Sequence, residues 1–210
     1  MNRPTISSAH LYDTLAARMH AAGGSTRTLG FTATTGGEGT SSVAIGTALA
    51  MASLQSEPVL LIDGNWLSPT LTEGADTPEG PDLASCLHAP GQLSQSLVRC
   101  SQPTLFFLPS GRLTGAPASL GGLPALVAEA AANFRFVMVD LPPILAATAL
   151  VMTWSALLDQ LFVVVRRGTT RRHELRRAIA AITPITEPEL ILNAVESIGR
   201  RRRYAGGQGA

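Results

Sequence analysis

Six short runs of apolar, β-forming residues constrain this chain more than any other feature. TLGFT (28–32), PVLLID (58–63), TLFFLP (104–109), FRFVMVD (134–140), LFVVVR (161–166) and ELILN (189–193) are continuous rather than alternating. Strands covered on both faces read this way, whereas a strand with one wet face alternates apolar and polar residues. Helix-forming stretches lie between the runs. Residues 42–54 and 123–132 are rich in Ala and Leu, and 171–182 carries apolar side chains at Leu175, Ala178, Ile179 and Ile182. Strands alternating with helices predict an α/β fold built on a doubly wound, mostly parallel sheet. The longest apolar stretch, 144–165, contains Thr148, Thr153, Ser155, Asp159 and Gln160. A carboxylate at mid-bilayer is costly, so a buried helix followed by a central strand is the expectation there.

With 210 residues, 45% of them hydrophobic, and a mean hydropathy of +0.21, the chain has enough apolar surface for one well-packed domain and is not largely disordered. Net charge is +1, which leaves no global field for nucleic acid. All 16 basic residues are arginines; there is no lysine. Residues 1–165 hold 6 arginines against 11 acids, and residues 166–210 hold 10 against 4, so positive charge gathers at the C-terminal end. Two cysteines without metal-type spacing, Cys86 and Cys100, read as thiols of a reducing compartment, and 1–13 has no apolar signal-peptide core. The loops 64–103 and 110–122 are rich in Gly, Pro and Ser, with one short helix expected near 83–88, and the tail 199–210, GRRRRYAGGQGA, is expected to be disordered. His10, His20, His88 and His173 share no ligand spacing and read as surface or cap residues. Trp66 and Trp154 read as core or loop-root residues.

The chemistry concentrates after the first strand, in ATTGGEGTSS. A glycine-rich turn between a strand and a helix presents backbone N–H groups and a positive helix end to phosphate. Against the template GxxxxGK[ST], Thr34 stands at the first glycine, Gly39 precedes the lysine position, Thr40 replaces the lysine and Ser41 supplies the hydroxyl. The candidate nucleotide-binding set is therefore Thr35, Gly36, Gly37, Glu38, Gly39, Thr40, Ser41 and Ser42, with Glu38 expected to face solvent or a partner. Asp63 and Asp140 end two strands, where the crevice of an open α/β sheet lies; with Ser41 they are candidate Mg²⁺ ligands, and the two acids are the candidate catalytic residues. Arg166 and Arg167 end another strand, either as a cation for phosphate or as the start of a basic surface.

These residues resemble the bacterial tyrosine kinases of capsule and exopolysaccharide synthesis, a P-loop branch that also contains the partitioning and septum-site ATPases. Residues 32–42 look like the Walker A loop, 60–71 like Walker A′, and 137–145, VDLPPIL included, like a Walker B segment with the family's D-x-P-P ending. LFFLPSGRLTGAPASL, LFVVVRRGTTRRHELRRAI and LILNAVES extend the likeness over about 28–200. It implies a three-layer P-loop NTPase-like sandwich, ATP and Mg²⁺ as cofactors, and a membrane-embedded polysaccharide co-polymerase, or chain-length determinant protein, as partner. The implied organisation is an N-terminal helical segment (1–27), a kinase-like domain (28–198) and the basic tail (199–210). The chain is expected in the cytoplasm, held at the inner face of the membrane through that partner.

Five departures from the family pattern shape the functional expectation. Thr40 replaces the Walker lysine; Asn65 replaces the second acid of Walker A′; Leu67 and Ser68 replace a basic pair. His10, Asp13 and Ala16 stand where the family's Glu–Arg–Arg oligomerisation pattern falls, which leaves the oligomeric state open. A single late Tyr204 stands in place of the terminal tyrosine cluster, as the one candidate phospho-acceptor. Removing one charge-stabilising group from a phosphoryl transition state costs roughly 3–4 kcal/mol. The expectation is a kinase-like regulator with impaired catalysis that retains nucleotide binding. An active tyrosine autokinase, or a partitioning- or localisation-type ATPase switch, are the alternatives. Arg200, Arg201, Arg202 and Arg203 are a candidate contact for an anionic membrane surface.

Overall fold

A computed structural model describes residues 8–21, 28–75, 80–89, 91–111 and 117–193. The elements are α1 (Ser8–Ala21), β1 (Thr28–Ala33), α2 (Thr40–Leu54), β2 (Val59–Asp63), α3 (Thr70–Gly74), α4 (Leu83–His88), α5 (Leu93–Ser96), β3 (Val98–Arg99), β4 (Leu105–Leu108), a 3-10 turn (Pro117–Gly122), α6 (Leu123–Asn133), β5 (Phe136–Asp140), α7 (Thr148–Ser155), β6 (Gln160–Arg166), α8 (Arg172–Ile182) and β7 (Glu189–Asn193). The seven strands form one sheet in the order β3-β4-β2-β5-β1-β6-β7. Every neighbouring pair is parallel except β3 and β4. Six of these strands fall on the six apolar runs, and 144–165 divides into α7 and β6 as expected.

The continuous hydrophobicity of the central strands follows from two packed faces. Along β2, Leu60 and Ile62 join one core cluster, while Val59 and Leu61 join the other. Along β5, Val137 and Val139 face the first and Phe136 and Met138 the second. The first cluster takes in residues of α4, α6, α7 and α8, with Trp154 fully buried; the second lies under α1 and α2. This is a three-layer sandwich. Helix α2 lies between the sheet and α1, which bury Val43, Ala44, Ala48 and Met51, while its Ile45, Leu49 and Leu54 stay exposed. Gly46 lets the two helices close up, since a Cβ there would lie 2.5 Å from the Tyr12 ring. Ala16 is buried in the same layer.

Four expectations need correcting. The segments read as plain loops also hold α3, α5, the two-residue antiparallel strand β3 and the 3-10 turn, all too short to leave a period in the sequence. Helix α2 starts at Thr40, two residues earlier than its apolar stretch suggested, because its first turn belongs to the polar loop. Glu38 does not face solvent: it is fully buried, as described below. The run 189–193 is not covered on both faces: β7 is an edge strand with Leu190 and Leu192 exposed, whereas Trp66 packs half-buried against the first cluster as a loop-root residue would. The side chain of His10, the tail 199–210, Arg200 to Arg203 and Tyr204 lie outside the described residues.

Asp159 shows why a carboxylate sits in an apolar stretch. Its Oδ2 accepts the backbone N–H and the hydroxyl of Thr28, each at 2.9 Å, and so ties the start of β1 to the turn before β6. No helix among the described residues is long and apolar enough to cross a membrane.

Candidate functional site

The parallel strands all point their carboxyl ends to one edge, and there β1, the central strand, hands the chain to α2 through residues 34–39. Two left-handed glycines, Gly37 (φ +82°) and Gly39 (φ +90°), make the turn. At Gly39 a side chain is excluded twice, by its φ and by the Asn193 amide, which occupies the place a Cβ would take. No side chain caps α2, so the N–H groups of its first turn, Thr40 and Ser41 among them, are left for another acceptor.

Neighbouring elements hold the loop in shape. Arg166, the last residue of β6, donates from Nη1 to the Gly37 carbonyl at 2.9 Å, and Asn193, the last of β7, donates from Nδ2 to the Glu38 carbonyl at 2.9 Å. Arg166 and Asn193 are register partners across the two strands. Inside the loop, Oε1 of Glu38 accepts the hydroxyl of Thr35 at 2.9 Å and its N–H at 3.3 Å, which is why this acid turns inward. Its Oε2 has no partner. The hydroxyl of Thr34 is also buried and unpartnered.

The sheet register puts Asp63 directly opposite Asp140. Both are fully buried, but their surroundings differ. Asp63 accepts the Thr72 N–H at 2.9 Å, the Thr72 hydroxyl at 2.7 Å and the Asn65 N–H at 3.2 Å. Burial raises its pKa, and the hydrogen bonds from Thr72 and Asn65 oppose the rise. Asp140 has no hydrogen-bond partner on either oxygen. Burial pushes its carboxyl up to about 7; the nearby Ser41 hydroxyl pulls it down, and the charge of Asp63 pushes it further up. Ser41 in turn accepts the Thr70 hydroxyl at 3.0 Å.

The structure therefore gathers all of the sequence-expected residues between Thr35 and Ser42 into one turn, with Asp140 and Asp63 beneath it. The donor set fits a hard divalent cation in part. The Ser41 hydroxyl and the unpartnered Asp140 offer oxygen ligands, whereas both oxygens of Asp63 already serve its own loop. The turn fits an anion through its backbone. Thr40, half-buried at the first position of α2, brings no charge to the position of the template's lysine. Sequence reasoning missed the interior role of Glu38 and the part played by Asn193. The only sequence signal for Asn193 was an amide ending a strand.

No family model and no curated protein sequence matches the chain. Solved structures do. The kinase domain of Escherichia coli tyrosine kinase ETK superposes with a TM-score of 0.80 at 20% identity, over 99% of this chain and 82% of that one. The chimerical protein CapA2B2 gives 0.79 at 21% identity, over 91% and 87%. Cobyrinic acid a,c-diamide synthase from Mycobacterium smegmatis, with a bound ATP analog and magnesium, gives 0.58 at 25% identity, over 80% and 73%. The fold is that of the bacterial tyrosine kinase domains and, more widely, of P-loop enzymes.

Proposed function

We propose that this chain is a kinase-like regulator of exopolysaccharide or capsule synthesis or export, which binds ATP with Mg²⁺ at the β1–α2 turn but is impaired in phosphoryl transfer. The observation that carries the reading is Asp140: a buried carboxylate with no partner, beside the Ser41 hydroxyl and under a glycine turn with free helix N–H groups. Leaving such a group unsatisfied costs a few kcal/mol, and a bound ion or ligand is one way that cost is met. The cobyrinic acid a,c-diamide synthase of like fold, with its ATP analog and magnesium, supports a nucleotide and a metal as the kind of ligand this fold takes.

The residues divide the work. The backbone of residues 36–41 receives phosphate oxygens, and Ser41 with Asp140 would hold the metal, whose chemistry is to neutralise charge on the phosphates. Asp63 braces the crevice by fixing Thr72 and Asn65. Thr40 supplies no ammonium for the transferring phosphoryl group, which is why turnover is weak or absent. Consistent with the resemblance, the partner is a membrane-embedded polysaccharide co-polymerase. Phosphate on Tyr204 and contact of the arginines 200–203 with anionic lipid are secondary parts of the proposal.

Calorimetric titration of the purified chain with ATP and Mg²⁺ tests it. The expected result is micromolar binding that is lost in Asp140→Ala, with no measurable ATP hydrolysis or autophosphorylation. Hydrolysis that depends on Asp140 would overturn the impairment; no binding heat and no thermal stabilisation would overturn the nucleotide reading.

A further inference from the structure

We infer that Arg166 supplies the cation of this phosphate-binding turn, so that the polyphosphate of a nucleotide is recognised by a guanidinium from the end of β6 instead of a lysine from the turn itself. The inference rests on the nucleotide reading above and deepens it.

The charges of the crevice make the problem concrete. Glu38, Asp63 and Asp140 are all fully buried around the turn, and no lysine exists in the chain to oppose them. A triphosphate entering a site with only those charges would be repelled. Arg166 is the cationic side chain, among the described residues, that hydrogen-bonds to the turn: its Nη1 lies 2.9 Å from the Gly37 carbonyl oxygen. A guanidinium therefore rests against the same turn whose backbone N–H groups would receive phosphate.

That charge is also available. Among the described residues no carboxylate forms an ion pair with Arg166. One donor is committed to Gly37, and the planar fork carries others for a phosphate oxygen. The side chain is half-buried, and its backbone is fixed on both sides. Its N–H donates to the Thr170 hydroxyl at 2.9 Å, and the next N–H, of Arg167, donates to the Asn193 carbonyl at 3.1 Å. Arg167 itself is exposed, and among the described residues its side chain makes no hydrogen bond to the turn, so the two adjacent arginines differ in their link to it.

The test separates charge from hydrogen bonding. Arg166→Gln removes the charge and leaves a shorter amide donor beside the turn; Arg167→Gln removes a neighbouring charge whose side chain has no hydrogen bond to the turn. Titrations with ATP, ADP and adenosine, with Mg²⁺ and at two salt concentrations, are compared with thermal melts of each variant. Expected are at least tenfold weaker ATP binding by Arg166→Gln, a smaller loss for ADP, none for adenosine, a flatter salt dependence and an unchanged melting temperature. Arg167→Gln should bind as the wild type does. Binding of ATP by Arg166→Gln at wild-type strength, or an equal loss in Arg167→Gln, overturns the assignment while leaving nucleotide binding intact. Absence of ATP binding by the wild-type protein overturns both.

Discussion

Among the described residues, Asp140 is the group whose ionisation its surroundings shift most. Its folded pKa of about 7 lies above the ordinary value of 3.8, so between these two values the native state holds a proton that the unfolded chain has released. Stability from that proton is complete below the unfolded pKa and is lost as pH rises through about 7. Asp140→Asn, which cannot ionise, should therefore gain about 2–4 kcal/mol over the wild type at pH 8 and little at pH 4. Urea unfolding at the two pH values measures this, and an equal effect at both would contradict it. The position of Asp140 at a strand end was legible from its place at the end of an apolar run. Its lack of partners was not, because hydrogen-bond satisfaction depends on which chain segments meet it. Glu38 makes the same point in reverse: an acid in a glycine loop reads as solvent-facing, yet Thr35 draws it inward with two hydrogen bonds.

Among the elements, the pairing of α1 with α2 depends on one missing side chain. Gly46 sits inside a helix, where Ala would ordinarily stabilise by about 1 kcal/mol. Here the Tyr12 ring occupies the space of the absent Cβ. Gly46→Ala should therefore destabilise the protein, by about 1–3 kcal/mol, as overpacking does. In the double variant with Tyr12→Ala the helix-propensity gain should return, so a double-mutant cycle gives a favourable coupling between the two changes. Additive effects would show that the ring moves aside freely. Element boundaries were readable where apolar residues end at a polar or turn residue: β7 matches its apolar run and α4 its expected span. Short pieces escaped, since α5 and β3 are held by the elements they touch and have no period of their own.

At the scale of the whole molecule, the sheet carries two separate cores, one on each face, joined only through the strands. Trp154 fills the α6–α7–α8 side with no exposed surface. Trp154→Ala should cost about 3–5 kcal/mol. If the strands couple the two faces into one cooperative unit, the urea midpoint will fall with the slope unchanged. A second transition would mean that the α1–α2 face outlives the other. The wider fold was readable because a parallel sheet needs strands that are apolar on both sides, and composition alone records that need. The site was half readable. Strand ends, glycines and the threonine in place of a lysine are local facts, written in order along the chain. What the sequence by itself determined is thus the class of sheet, the position of the glycine turn between β1 and α2 and the absence of a lysine from it. Only the tertiary structure decided which strand ends reach the turn: Arg166 and Asn193 lie 129 and 155 residues beyond the turn residues whose carbonyls they bind. Such contacts are set by strand order, and strand order follows from how helices cover the two faces, a property of packing that no local pattern encodes.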